Sequence, residues 1–374
     1  MHSTILSGNR RRVVSPAIIL LAGAAWLSPS ASATSIAYNV ANIGPTTPMA
    51  LSSTGMVTGD STEADEAFLY NGALDLIGWP AKRWSESTGT DINTAGAMVV
   101  TVDNCCSSKG TTYKAFVAKV TGSHVRWVAL GATRKRPMSD TGAIADDGDV
   151  AGDVFSSEDA YFKRYNNKAV LWRFLPGPHT YQRESFPLDS VGDLISVGKQ
   201  DILVGHSRLG AEFLPYGRRA LVLKRTGTPA VRVYLDNVVA SSGRMFYVGG
   251  SGDAKTGMNQ YGLIWKVKCT ASYTCSQIGP ATVIDPPANS LCGKAADGPD
   301  VTAVFVDSQG LAVGDCYLDS FVWSNGQSLN LADTVPVGTA TAEFSAADMN
   351  AAGQIAVAAQ AAHGPYVGYL LRPR

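Results

Sequence analysis

Three features of this sequence predict an all-β fold: a seven-bladed β-propeller of four-stranded antiparallel blades, closed by an N-terminal strand that completes the last blade. Seven short runs share one pattern, a second strand-like landmark precedes each, and one strand is surplus at the start of the folded region while one is missing at its end.

The seven runs place a small residue before aromatic and aliphatic ones: AFLY at 67–70, AFVA at 115–118, AVLW at 169–172, ALVL at 220–223, GLIW at 262–265, SFVW at 320–323 and GYLL at 368–371. Their starts lie 42 to 58 residues apart, too regular for chance and too uneven for a recent duplication. Ahead of each run a turn residue, usually glycine, leads into an apolar strand, as in GMVTG at 55–59, DILVG at 201–205 and GLAVG at 310–314. Earlier still comes a strand ending in an Asn or Asp turn, clearest at Asp91-Ile92-Asn93, Ala145-Asp146-Asp147 and Asp348-Met349-Asn350. Asn, Asp and Gly suit these points because they tolerate the backbone conformations that tight hairpins demand. A fourth strand follows most runs, as at Leu74–Gly78, Trp127–Gly131 and Leu329–Leu331.

The seventh unit stops at Arg374 without its fourth strand, while Tyr38–Gly44 is a strand with no unit of its own. Pairing the two closes the ring and removes the exposed edges of an open array. A β-sandwich or a pair of barrels predicts neither the seven copies nor the missing strand.

Composition narrows the function. With 45% hydrophobic and 17% charged side chains the chain can bury a large core, and 31 basic residues balance 31 acidic ones. No overall field draws it to nucleic acid or to an anionic membrane, so a charged partner must be met by a local patch. At the N-terminus, Arg10, Arg11 and Arg12 precede an apolar run to Trp26 and an A-x-A site ending at Ala33. Residues 1–33 therefore read as a cleaved export signal, general or twin-arginine, leaving 34–374 as one propeller domain outside the cytoplasm, extracellular or periplasmic. No later segment reads as a membrane span, and the protein is expected to act as a monomer without cofactor or metal.

Six cysteines in an oxidising compartment suggest disulfides. Cys269 and Cys275 flank a short polar loop, and Cys292 and Cys316 fall within one repeat, so each pair is assigned locally. Cys105 and Cys106 are left as a vicinal bridge or two thiols; no C-x-x-C or histidine partner supports zinc.

These repeats resemble the extracellular HAF-repeat family, whose units carry an Ile-Asn turn, a Gly-x-Val-Val-Gly strand and a His-Ala-Phe-Leu-Trp strand. The likeness covers nearly the whole chain after the export signal and is best at Asp91-Ile92-Asn93, Gly353-Gln354-Ile355, Ala67–Tyr70 with Asn71-Gly72, and Phe321–Trp323 with Asn325-Gly326. The family's histidine is absent from every copy, replaced by Glu66, Lys114, Lys168, Arg219, Tyr261, Asp319 and Val367. The resemblance implies the fold and export but no chemistry.

Function in a propeller sits on the face carrying the four-to-one and two-to-three strand connections. There the sequence places Trp79, Lys82, Arg83 and Trp84 in one connection, Arg134, Lys135 and Arg136 in the next, and His206, Arg208, Tyr216, Arg218 and Arg219 in blade four. Arginine grips carboxylates and tryptophan stacks on sugar rings, so a binding or scaffold role is expected, toward an acidic polysaccharide or an extracellular protein. The alternative is a carbohydrate-active enzyme, chiefly a polysaccharide lyase on uronic-acid polymers, with His206 or Tyr216 as base and Arg208 neutralising the uronate. Asp60, Asp153 and Asp315 share one repeat position, a weaker candidate for cation ligands or paired acids, with turn structure as the simpler reading. Asp146-Asp147-Gly148-Asp149 lacks the spaced ligands of a calcium loop.

Overall fold

A computed structural model describes residues 37–104, 112–156, 168–198, 200–225, 233–253, 260–288, 290–292, 300–316, 319–334, 341–361 and 364–374. The segment read as an export signal, Cys105, Cys106 and His363 lie outside them. Among the described residues no helix is long and apolar enough to cross a membrane.

The chain forms a seven-bladed β-propeller of antiparallel blades. The innermost strands are Thr46–Leu51, Glu86–Ile92, Met138–Ile144, Ser190–Val197, Val233–Ala240, Ala303–Val306 and Thr341–Met349, in blades one to seven. Each is followed outward by its second, third and fourth strands, except that the fourth strand of blade seven is Tyr38–Gly44. This strand pairs antiparallel with Tyr366–Pro373, Val40 opposite Leu371 and Asn42 opposite Tyr369, so the ring closes as the surplus strand requires. Tyr38 joins the core between blades six and seven, and Ile43 the core between blades seven and one.

The recurring runs are third strands because their apolar side chains must be covered from both sides by neighbouring blades. Phe68, Trp172, Trp265 and Phe321, one in each of four such runs, are fully buried. Antiparallel order puts the one-to-two and three-to-four turns at one end of the ring, the lower face, and the two-to-three and four-to-one connections at the other, the upper face.

Blade four departs from the expected register. Its third strand is Gly210–Pro215, and the run ALVL contains the short fourth strand Leu221–Val222. All six residues of Gly210–Pro215 are buried. The reading failed here because the two-to-three connection is only Arg208-Leu209, so a complete strand fits where a loop was expected.

In six of the seven blades the innermost strand carries a β-bulge, at Met49, Thr90, Gly142, Gly192, Asp236 and Ala347. A bulge re-aims the following side chains. It also brings blades close together: a Cβ on Gly192 would lie 1.9 Å from the Leu235 carbonyl oxygen of the next blade. Cys269 pairs with Cys275 and Cys292 with Cys316, as expected from their spacing.

Candidate functional site

On the upper face two consecutive blade connections are built alike. The Trp84 N–H donates to the Ala81 carbonyl at 3.2 Å, closing a turn with Lys82 and Arg83 at its tip. One blade on, Thr133 and Arg136 exchange backbone hydrogen bonds of 2.9 and 3.1 Å, and the Thr133 hydroxyl accepts the Arg136 N–H at 2.7 Å. Arg134 and Lys135 occupy that tip. All four tip residues are exposed, and among the described residues none of them is in an ion pair. Arg136, at the foot of its turn, is half-buried.

The two tryptophans of the first connection part company. Trp79 is 37% exposed, whereas Trp84 is 5% exposed and packs edge-on to Phe116 with ring centroids 6.3 Å apart. Trp84 is therefore a core residue, and its link to the surface is the Arg83 guanidinium, 4.9 Å from its ring centroid. Nearby, between blades one and two, stand Asp65, Glu86 and Asp103. Burial and the repulsion of Asp103 and Asp65 raise the Glu86 carboxyl above its ordinary range.

The residues grouped in blade four divide between the two faces. His206 lies near the upper end of its second strand, opposite Ser190 and Ala211, with Arg208 in the turn just beyond. Tyr216, Arg218 and Arg219 follow the third strand at the lower end, where the Arg218 N–H closes a turn onto the Pro215 carbonyl at 3.0 Å. A six-residue strand, about 20 Å long, separates Tyr216 from His206 and Arg208. Tyr216 is thus lost from the lyase set, and His206 and Arg208 remain together at the upper end. The correction follows from the register of blade four.

Tyr216 belongs instead to a polar hub between blades three and four. Its hydroxyl donates to Glu184, and the Arg173 guanidinium lies 4.0 Å from its ring centroid. Arg173 pairs with Asp149 at 2.8 Å and Asp201 at 3.0 Å, both almost fully buried. Oxygens of Asp147, Asp149 and Asp201 lie within 4.8 Å of one another, a spacing that could hold a metal ion. The Arg173 cation already pairs with two of the three carboxylates. Burial, outweighing the Phe174 N–H and Arg173, raises Asp149 to about 6.

Asp60, Asp153 and Asp315 lie within second strands at one register, opposite Ala67, Ala169 and Ser320, and not in turns. Asp315 accepts the Ala346 N–H of blade seven at 3.0 Å, so this position faces a seam between blades.

Sequence reasoning missed one concavity altogether. A cavity of about 410 Å³ occupies the lower part of the central channel, lined by all seven blades, and Asp91, Asp146, Asp193, Asp236 and Asp348 line it without any cationic side chain among the described residues. Four of these carboxylates reach into the next blade. Asp91 accepts the Ile144 N–H at 2.6 Å, Asp193 that of Val238 at 2.7 Å, Asp236 that of Val304 at 2.8 Å and Asp348 that of Leu51 at 2.8 Å. The available signal was the Asp-x-Asn ending of Asp91–Asn93 and Asp348–Asn350, read only as a turn.

No protein-family model matches the chain, and no curated protein matches it either. Among solved structures it is similar to the β-propeller domain of the trilobed protease from Pyrococcus furiosus, at 10% identity and TM-score 0.42, over 74% of this chain and 79% of that one. It is also similar to a gluconolactonase from Xanthomonas campestris, at 9% identity and TM-score 0.38 over 90% of both chains. A third is an aldose sugar dehydrogenase from Streptomyces coelicolor, at 10% identity and TM-score 0.41, over 90% of this chain and 98% of that one. Likeness at this level concerns the fold alone.

Proposed function

We propose that this protein is an exported, non-catalytic binding propeller that takes an acidic glycan on its upper face. The observation that carries the reading is the pair of matched turns, Ala81–Trp84 and Thr133–Arg136, each presenting two exposed cations at its tip. Consecutive connections lie side by side in a ring, so the two cation pairs suit the repeating carboxylates or sulfates of a polymer better than a single small anion. Trp79, exposed in the first connection, supplies an apolar ring for a sugar face. The two disulfides fit an oxidising compartment.

The test is binding of the chain from residue 34 to polygalacturonate and to a sulfated glycan, measured calorimetrically at 50 and 500 mM NaCl. Affinity should fall about tenfold or more with salt, because exposed charges are screened beyond a Debye length. Replacing Lys82, Arg83, Arg134 and Lys135 together by Ser should abolish it with the melting temperature unchanged. Trp79→Ala should weaken binding without loss of stability. Trp84→Ala should instead destabilise the fold by about 3 kcal/mol or more. Binding that ignores salt, or that survives the quadruple change, would exclude the patch, and release of unsaturated sugar ends would replace the reading with a lyase.

A further inference from the structure

The acidic channel combines three features that independently bear on pH. First, the residue immediately after the bulge is Asp91, Asp193 and Asp348 in blades two, four and seven, while blades one and three carry Ala50 and Ala143 there. Second, each of the three carboxylates accepts two backbone N–H groups, one from its own following residue and one from the next blade. Third, they face a common cavity that also holds Asp146 and Asp236, with no cationic side chain among its described lining residues.

We propose that Asp91, Asp193 and Asp348 form a proton-operated ring, relaxed when the carboxyls are protonated and pushed outward at the seams of blades two–three, four–five and seven–one when all three are ionised. The opposing influences can be ordered. The backbone N–H donors favour the carboxylate, but desolvation is the larger effect at every site and disfavours it. Asp91 is additionally repelled by Asp193 and Asp348, and Asp348 by Asp193. The balance lifts Asp193 to about 6, Asp348 to about 7 and Asp91 well above its ordinary value. Asp236 faces the same channel from blade five and is repelled by Asp315. Asp146, at the rim, accepts the Thr94 N–H at 2.9 Å.

The sign follows from linkage. A carboxyl held higher in the folded state than in the unfolded chain contributes stability that is complete below the unfolded value and lost as pH rises through the folded one. The ring should therefore be tightest near pH 5 and loosen toward pH 8.

The experiment is a set of thermal melts of the chain from residue 34 between pH 5.5 and 8. The wild type should melt several degrees lower at pH 8 than at pH 5.5. Asp149, in the hub between blades three and four, also titrates near this range, so the decisive readout is the change in slope. The double variant Asp91→Asn, Asp348→Asn should lose at least half of the dependence, whatever its absolute stability, while Asp75→Asn on the exposed outer strand should keep all of it. Should the double variant fail to fold, carboxyl carbon NMR of the labelled wild type reads the ring directly, and at least two of the three aspartates should titrate between pH 5.5 and 8. A wild-type melting temperature that is flat across this range, an unchanged slope in the double variant, or aspartates titrating wholly below pH 5 would overturn the proposal.

Discussion

Removing the closing strand tests the architecture most severely. A chain beginning at Pro45 lacks Tyr38–Gly44, whose side chains Tyr38 and Ile43 are 4% and 5% exposed. Burying each of these is worth about 2 kcal/mol. The strand also holds six residue pairs in register against Tyr366–Pro373. At about 1 kcal/mol net per ladder hydrogen bond, that adds roughly 5 kcal/mol. The sum, on the order of 10 kcal/mol, lies within the whole stability of a typical domain, about 5–15 kcal/mol. Truncation should therefore leave a protein that aggregates or is largely unfolded, with the edge of Tyr366–Pro373 exposed to pair with other chains. Size-exclusion chromatography and calorimetry of the two forms measure this. A synthetic peptide spanning residues 38–44 should raise the melting temperature of the truncated form. Ile43→Ala is the graded version and should cost about 2–4 kcal/mol. A truncated protein that stays monomeric and melts within about 2 °C of the intact one would refute the closed ring.

Two further changes probe buried polar groups. The Tyr38 hydroxyl is buried without a hydrogen-bond partner among the described residues, and burial with the nearby Asp307 keeps it from ionising, so Tyr38→Phe should stabilise the protein by about 1 kcal/mol in urea melts; a loss of stability would mean the hydroxyl is satisfied in solution. Arg173→Ala leaves Asp149 and Asp201 buried and unpaired and should cost about 3 kcal/mol at pH 8. Asp149 already stands at about 6 with the cation beside it and must rise further without it, so the deficit should shrink as pH falls from 8 to 5; an equal deficit at both pH values would show that lost packing dominates.

The fold was legible because the features that define a blade are local. A small residue before an aromatic-aliphatic run marks a third strand wherever the next blade must lie against it, and the surplus strand at Tyr38–Gly44 needed only to be matched with the deficit after Leu371. Blade four escaped because its third strand, GAEFLP, begins with a different pattern and includes Glu212, a buried acid whose carboxylate accepts the Ser207 hydroxyl. Spacing then assigned the third-strand role to the next apolar run, and Tyr216 was carried to the wrong face. Trp84 was misplaced for a related reason. Whether an aromatic at the tip of a connection faces outward depends on where the turn closes, and the Ala81–Trp84 bond turns its indole inward.

What a repeat position does depends on the blade beside it. The register opposite the small residue of the third strand holds Asp60, Asp153, His206 and Asp315 in blades one, three, four and six. Seen along the sequence, the acids suggested ligands and the histidine a base; seen in the ring, all four stand at one level of the second strand, where Asp315 holds the neighbouring blade through the Ala346 N–H. The same holds for the residue after the inner bulge. Asp91 clasps Ile144, but its equivalent in blade three is Ala143, which meets blade four through the apolar cluster it shares with Leu188, Leu194 and Leu203, and Arg173 between Asp149 and Asp201 adds a polar link across that seam. Seams are thus secured by different residues at different radii, and the repeat pattern carries no record of which. The cavity's charge arises in the same way, from aspartates of five different blades, far apart in the sequence, that meet only in the channel of the closed ring.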